Sequence, residues 1–419
     1  MDSQAGGAAA RGHSFLHHLA AWGPGLLVML ADTDAGNVVT AAQAGAQWNF
    51  RLLPLIFALI PALYLVQELA ARLGLFGRAG FGEMIRARFG KTAALLALAG
   101  LALAAFGTLV TEFTGVAGVG ELYGVSRDIS LPATAFALLA VAATGSYRKV
   151  EQAALSVGLF EFAFLVVAWK ARPHPLAVVR DFFHAPLTDR SFLFLAAAIV
   201  GSVFNPWMVF YQQAATARRK IDPEEFSVVR ADTAAGAVLT QALTGAVLIA
   251  AAAALYTGDK GHSLDSIGQV GEALTAALGR DSGMLVYSLG VLGASFAAAI
   301  VASLALSWGV AEVFSARRID AGAEGAGLFD SRRYMALYVV SVGAAAALVG
   351  FSHDLVWLNI ATQVGNALLF PLIVGLLIAL AAKALAPPLR LRGLRLAVMI
   401  FLAASVAVIG VIGAAAAVS

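Results

Sequence analysis

Long apolar runs separated by short polar connectors dominate the chain. Stretches long enough to cross a bilayer as helix, about 20 mostly apolar residues, lie at 22–47, 51–71, 92–123, 131–147, 150–170, 192–216, 227–256, 283–315, 334–351, 355–384 and 394–417. They predict an all-α membrane protein of about 11 transmembrane helices, preceded by a cytoplasmic tail at 1–21. Two runs are interrupted. In the first, Ala31-Asp32-Thr33-Asp34-Ala35-Gly36-Asn37 breaks the apolar pattern. Asp, Thr, Gly and Asn compete for or loosen the helical ladder, so an unwound stretch is predicted over 31–37. In the sixth, Pro206 removes a donor and clashes with the carbonyl near Ser202. Asn205 is pushed out of helical geometry by the proline that follows it, and Gly201 and Ser202 loosen the same turn. Irregular backbone at that depth survives only where it is buried in protein or lines a cavity.

Composition agrees with a lipid environment. Of the 419 residues 60% are hydrophobic and 13% charged, against about 25% charged in soluble domains, and the mean hydropathy is +0.83. So much apolar surface exceeds what one soluble core can hide. With no cysteine, disulfides and thiolate metal sites are excluded. The pI near 9.2 does not imply nucleic acid, because the bases sit in connectors between apolar runs. They cluster at 72–91, 148–149, 218–230, 317–333 and 383–395, with Arg11 on the same side. By the positive-inside rule the N-terminus is cytoplasmic and the C-terminus outside. No apolar core of a secretory signal is read in the first 21 residues. The Ala-, Gly- and Arg-rich usage fits a bacterial inner membrane.

The acids behave differently from the bases. Every Lys and Arg falls in a connector or at a span end, whereas Asp32, Asp34, Glu68, Glu112 and Glu161 lie within spans. A carboxylate near the bilayer centre costs at least about 2.5–3.5 kcal/mol and marks a pathway; alternatively, Glu68 and Glu161 are neutral or cap helix ends. Unneutralised intramembrane acid calls for a cation. The breaks near 34 and 205 are five spans apart, as in an inverted five-plus-five repeat whose broken helices meet at the midplane. Repeat one is read at about 22–170 and repeat two at about 192–384, followed by an extra helix at about 394–417. Freed carbonyls, the Asp34 carboxylate and the amide oxygens of Asn37 and Asn205 form an all-oxygen cage, which suits Mg, Mn or Ca.

Several motifs resemble one family. Gly23-Pro24-Gly25 followed by Asp34-Ala35-Gly36-Asn37 resembles the first span of the NRAMP (natural resistance-associated macrophage protein) metal-ion transporters, whose signature is Asp-Pro-Gly-Asn. Gln67-Glu68-Leu69-Ala70-Ala71-Arg72-Leu73-Gly74 resembles the end of their second span, and Thr111-Glu112 falls where their third carries an acid. Asn205-Pro206-Trp207 stands where classical members have Met-Pro-His. The resemblance, from about 20 to 416, implies a LeuT-like fold with helices 1 and 6 broken. It also implies a metal shell of Asp34, Asn37, Asn205 and the carbonyls of Ala31 and Ser202.

The departures shape the expected activity. Asn205 replaces a soft thioether by a hard amide oxygen, which lowers discrimination for Mn over Mg. Ala35 in place of proline leaves room for water around a reluctantly dehydrating Mg2+. Trp207 replaces a histidine associated with the proton path and cannot titrate, and 334–351 holds no Arg or His. These losses resemble the NRAMP-related magnesium transporters. The expectation is uncoupled uptake of Mg2+ and/or Mn2+ by alternating access, with no cofactor beyond the transported ion and a monomer sufficient.

Two alternatives stay open: a proton-coupled Mn2+ or transition-metal symporter using Glu112, and a LeuT-fold carrier of a small organic solute such as an amino acid. An enzyme is not expected, since no nucleophile–base pair or phosphate loop is present. Asp32, Trp207, Gln363 and Glu112 are candidates for supporting or gating roles. Gln363 and Asn366 either bond between helices or close over the ion, and Tyr211, Gln212 and Gln213 are candidates for an inner vestibule. His13, His17 and His18 read as a solvated tail. The connector 257–282, with Asp259, Asp265, Glu272 and Asp281, reads as solvated surface.

Overall fold

A computed structural model describes residues 23–143, 156, 162–171, 173, 175–219, 221–258, 263–271, 279–314 and 332–418. His13, His17, His18 and Glu161 lie outside them. The described residues fold into helices with no strand: α1 Pro24–Leu30, α2 Ala35–Trp48, α3 Leu53–Gly77, α4 Phe81–Leu122 and α5 Arg127–Ala143. Then come α6 Ala163–Ala171, α7 Pro175–Phe182, α8 Arg190–Val203, α9 Pro206–Arg218 and α10 Phe226–Leu255. The chain continues with α11 Arg280–Phe314, α12 Arg332–Phe351, α13 Leu355–Lys383 and α14 Gly393–Val418.

Among the described residues eight helices are long and apolar enough to cross a membrane, with α8 and α9 counted together through their break. The other predicted spans correspond to the broken first helix (α1 and α2), to the 17-residue α5, and to the run 150–170, of which α6 is the described helix. Gly90 sits inside α4 at φ 87° and ψ 174°, where only glycine rests without strain. It turns the segment 81–89 away from the span predicted to begin at 92.

The helices pack in two groups. One gathers α1, α2, α3, α9 and α10; the other joins α4 to α11, α12 and α5. Helix α13 touches both and also α8, α14 and α2. Its closest approaches fall at the two breaks. A Cβ built on Gly36 would lie 1.9 Å from Gln363 Nε2, and one on Gly201 would lie 1.8 Å from the Gln363 carbonyl oxygen. Two glycines, one on each broken helix, thus let a single residue of α13 wedge between them.

The seven-residue α1 has no side chain of its own capping its N-terminus. Asp232 of α10 does this from 207 residues away, accepting the N–H groups of Gly23 (3.2 Å), Gly25 (2.7 Å) and Leu26 (3.3 Å). These are the orphan donors that any helix start must satisfy, and a carboxylate there also suits the helix dipole. At the opposite end of the first span the connector 263–271 is not the solvated surface predicted. Leu264, Ile267 and Val270 are buried. Gln43 of α2 accepts the Leu264 N–H at 2.8 Å and donates to Ser263. Apolar residues at every third position, 264, 267 and 270, outweigh the scattered acids, of which Asp265 stays exposed; Asp259 and Glu272 lie outside the described residues.

The two glycine contacts differ in what can yield. Gln363→Ala is expected to restore the stability lost in Gly36→Ala, because the obstacle is the end of a side chain. Gly201→Ala meets backbone; it is expected to cost about 1–3 kcal/mol with no recovery from Gln363→Ala. Thermal unfolding of the four purified variants in detergent distinguishes the cases.

Candidate functional site: two helix breaks around buried carboxylates

The first break is shorter than predicted. Asp34 is already the N-cap of α2, with extended backbone (φ −79°, ψ 177°), and accepts the Asn37 N–H on Oδ1 at 2.7 Å. Only residues 31–34 leave the helix, so Ala35, Gly36 and Asn37 belong to α2. An Asx-type cap is so favourable that the helix restarts immediately after the carboxylate, overriding the poor propensity of Gly36 and Asn37.

Each break frees a backbone carbonyl, by a different device. The Ala31 carbonyl would normally accept from Ala35 N–H, but that donor goes to Glu112 Oε2 at 3.2 Å. The Ser202 carbonyl loses its donor because the residue four positions on is Pro206, which has no N–H; it receives only a long contact from Asn205 Nδ2 at 3.5 Å. Asn205 itself is extended (φ −76°, ψ 126°) and leads into α9 through Pro206 at its first position.

The side chains around these carbonyls form an acceptor-rich cluster. Asp32, Asp34, Asn37, Ser202, Asn205 and Trp207 are each at most 1% exposed, and Glu112 is 2% exposed. Both carboxylate oxygens of Asp32, Oδ2 of Asp34 and Oδ1 of Asn205 have no hydrogen-bond partner. Asp32 lies beside the Asn205 side chain and within electrostatic reach of Asp34. Glu112 faces Asp34 and takes the Thr111 hydroxyl on its other oxygen at 3.2 Å. An orphaned buried acceptor costs about 1–3 kcal/mol, so four together describe a site built for something that donates positive charge. Two donors in the region, Trp207 Nε1 and Gln363 Nε2, are also unpartnered.

Asn37 is placed between three helices. Its Oδ1 accepts the Thr244 hydroxyl at 2.8 Å and its Nδ2 points to Ser202 Oγ at 3.4 Å. The amide oxygen is therefore shared with α10, while Asn205 Oδ1 stays free. Among the described residues no three His, Cys, Asp or Glu side chains converge in a metal-holding group. A cation here would rest on Asp34 together with amide and carbonyl oxygens.

Other predicted residues fall elsewhere. Glu68 is not an unneutralised acid: Arg72, one turn along α3, pairs with it at 2.5 Å, and Arg230 Nε lies 3.7 Å away. Arg72 lies inside the helix, which runs on to Gly77. The Gln212 amide donates to Thr233, Gln213 donates to the Ala79 carbonyl and Tyr211 stacks on Trp308, while Oε1 of both glutamines has no hydrogen-bond partner. Gln363 Oε1 accepts from Asn366 Nδ2 at 2.9 Å, an intrahelical bond rather than one between helices.

Sequence reasoning missed four groups. Asp232 and Glu312 are buried acids within spans. The first caps α1; the second accepts Gly82 N–H at 3.0 Å and lies 3.8 Å from Arg218. Thr240 bonds the Thr33 hydroxyl at 2.8 Å, and Thr244 holds Asn37. A polar stripe along 227–256 (Asp232, Thr233, Thr240, Gln241, Thr244) was the available signal: its one-turn spacings put these groups on one face of the seventh span.

Comparison with known proteins places this geometry. The family model described as natural resistance-associated macrophage protein-like (Nramp) matches residues 25–416. A divalent metal cation transporter, MntH, of Latilactobacillus sakei subsp. sakei (strain 23K) is 31% identical over 218 residues, covering 51% of this chain and 48% of that protein. The alignment thus spans about half of that relative. The MntH of Bacillus subtilis (strain 168) is 28% identical over 300 residues, 67% of this chain and 68% of that protein. A crystal structure of a variant manganese transporter of Eremococcus coleocola superposes with a TM-score of 0.78 at 19% identity, covering 96% of this chain and 87% of that one. The fold is therefore the LeuT-like five-plus-five inverted repeat with helices 1 and 6 broken, in a multi-span membrane protein. With nearly the whole chain matched, it belongs to the natural resistance-associated macrophage protein-like (Nramp) family.

Proposed function

We propose that this protein is a divalent metal cation transporter that takes up Mg2+ and/or Mn2+ by alternating access, without proton coupling. The observation that carries the reading is the buried acceptor cluster at the two breaks. Asp34 Oδ2 and Asn205 Oδ1 stand unpartnered, beside freed carbonyls of Ala31 and Ser202, with no described cationic side chain paired to Asp34. The two MntH relatives, both divalent metal cation transporters, support the same substrate class. In this reading Asp34 supplies the principal charge. Asn205, the carbonyls of Ala31 and Ser202, and Asn37 through its remaining lone pair complete the shell, directly or through water. Asp32 and Glu112 adjust the field, and Gln363 and Trp207 close over the ion.

The group containing α1, α2, α3, α9 and α10 moves against the group built on α4 and α11. Repeat one runs from about 22 to 170 and repeat two from about 192 to 384, with α14 as an addition. The host membrane is the bacterial inner membrane, with the N-terminus in the cytoplasm and the C-terminus outside; one copy suffices. The membrane potential alone provides about 4.6 kcal/mol per divalent ion at 100 mV. Trp207 cannot relay a proton, and α12 between 334 and 351 contains no Arg or His.

A proton-linked second reading is favoured by one observation: Glu112 lies against Asp34, so a departing ion leaves facing carboxyls that a proton could neutralise. Internal pH in proteoliposomes decides between them. Metal influx without acidification is expected, and acidification in step with influx would overturn the uncoupled reading.

Asp34→Ala is expected to abolish saturable Mg2+ and Mn2+ binding by isothermal titration, a loss of at least about a hundredfold in affinity, given about 3 kcal/mol for a buried charge contact. Wild-type binding by the variant would show the site is elsewhere. Asn205→Met is expected to raise Mn2+ over Mg2+ preference by about tenfold in competitive uptake, since it replaces a hard ligand by a soft one; an unchanged ratio would remove Asn205 from the shell.

A further inference from the structure

Away from the helix breaks, a cavity of about 350 Å3 opens between the C-terminal half of α3, the first turn of α10 and the first turns of α14. That volume is in the range of small-ligand sites. It lies at the basic end of the bundle, where the positive-inside rule places the cytoplasmic leaflet. Three guanidinium groups line it (Arg72, Arg230 and Arg395) with one carboxylate, Glu68. Glu68 is consumed by Arg72, with Arg230 Nε at 3.7 Å. Arg230 also donates to the Tyr64 hydroxyl at 3.1 Å. Arg395 forms no ion pair among the described residues. The cavity therefore carries a net charge of about +2, concentrated on Arg230 and Arg395, with a phenol beside them.

The rest of the lining is apolar and continues outward. Leu394, Val398 and Phe401, spaced four and three residues apart, share one face of α14 and are 80%, 39% and 74% exposed. On α3 the wall is formed by Leu65 and Tyr64. A paired cationic end and an apolar runway on the same groove match one kind of molecule. Arginine forks suit phosphate oxygens, and basic pockets between membrane helices on the cytoplasmic side suit anionic headgroups.

We propose that this groove is a binding site for an anionic phospholipid of the cytoplasmic leaflet. Its phosphodiester sits between Arg230 and Arg395, and one acyl chain lies along Leu394, Val398 and Phe401. The site is independent of the metal site and joins α3 and α10, in one helical group, to the added helix α14. A bound lipid would thus link that group to α14.

Native mass spectrometry of the full-length protein in detergent tests this with phosphatidylglycerol and phosphatidylcholine of identical acyl chains, and with glycerol 3-phosphate as the soluble headgroup. The expected result is retention of phosphatidylglycerol over phosphatidylcholine by at least about fivefold. Arg395→Gln should lose about fivefold of that preference, the scale of one arginine, and Arg392→Gln, just before α14 and outside the cavity lining, should keep it. Equal retention of the two lipids by the wild type would overturn the proposal without any variant. So would an unaltered preference in a folded Arg395→Gln protein. Glycerol 3-phosphate raising the unfolding temperature as much as phosphatidylglycerol would overturn it in favour of a soluble-anion site.

Discussion

Asp32, Asp34 and Glu112 share a core sealed from solvent, and no described Lys, Arg or His forms an ion pair with any of them. Much of the surrounding architecture follows from accommodating that negative charge. Backbone dipoles do part of the work: Asp34 caps α2 and Glu112 takes the Ala35 N–H, so two carboxylates converge on the positive end of one half-helix. The same bonds break the first span, because a donor given to Glu112 cannot reach Ala31. Charge placement and helix interruption are here one event, and the freed carbonyl is its by-product. On the sixth span proline achieves the equivalent result without any charge.

The other buried acids show the contrast. Asp232 receives three backbone N–H groups, with the Arg219 guanidinium beside Gly23. Glu312 takes the Gly82 N–H and lies near Arg218, whose guanidinium also stacks on Trp308. Glu68 has Arg72. All three sit toward the basic end of the bundle and each has an arginine close by, although Oε1 of Glu312 has no hydrogen-bond partner. Among the described residues Asp32 and Asp34, where the first break lies, are buried carboxylates without a nearby described cation, which sets them apart from these three.

The many-span helical fold, the two interruptions and the places of Asp34 and Asn205 at them were legible from apolar run lengths and from residues with poor helix propensity. Four things were not. The length of the first break depends on a cap, and propensity alone extended it through Asn37. The pairing of Glu68 required knowing that α3 continues past Arg72, an end that hydropathy blurs because a charged turn looks like a connector. The buried connector at 263–271 required its neighbours: Ile267 fits against Gly118 and the Leu264 N–H finds Gln43, contacts that only the assembled bundle supplies. Asp232 was readable as an intramembrane acid, but its acceptor role spans 207 residues and leaves no local trace.

Gln363 meets both interrupted helices at glycines, so a shift of either break against α13 disturbs a residue that the other break also touches. If the proposed reading holds, that shared residue couples the two breaks, and the ion is passed by a change of shape rather than through a standing pore. On the proposed reading, flux is then counted in whole conformational cycles rather than in conducted ions, and each cycle draws on the membrane voltage by only two elementary charges.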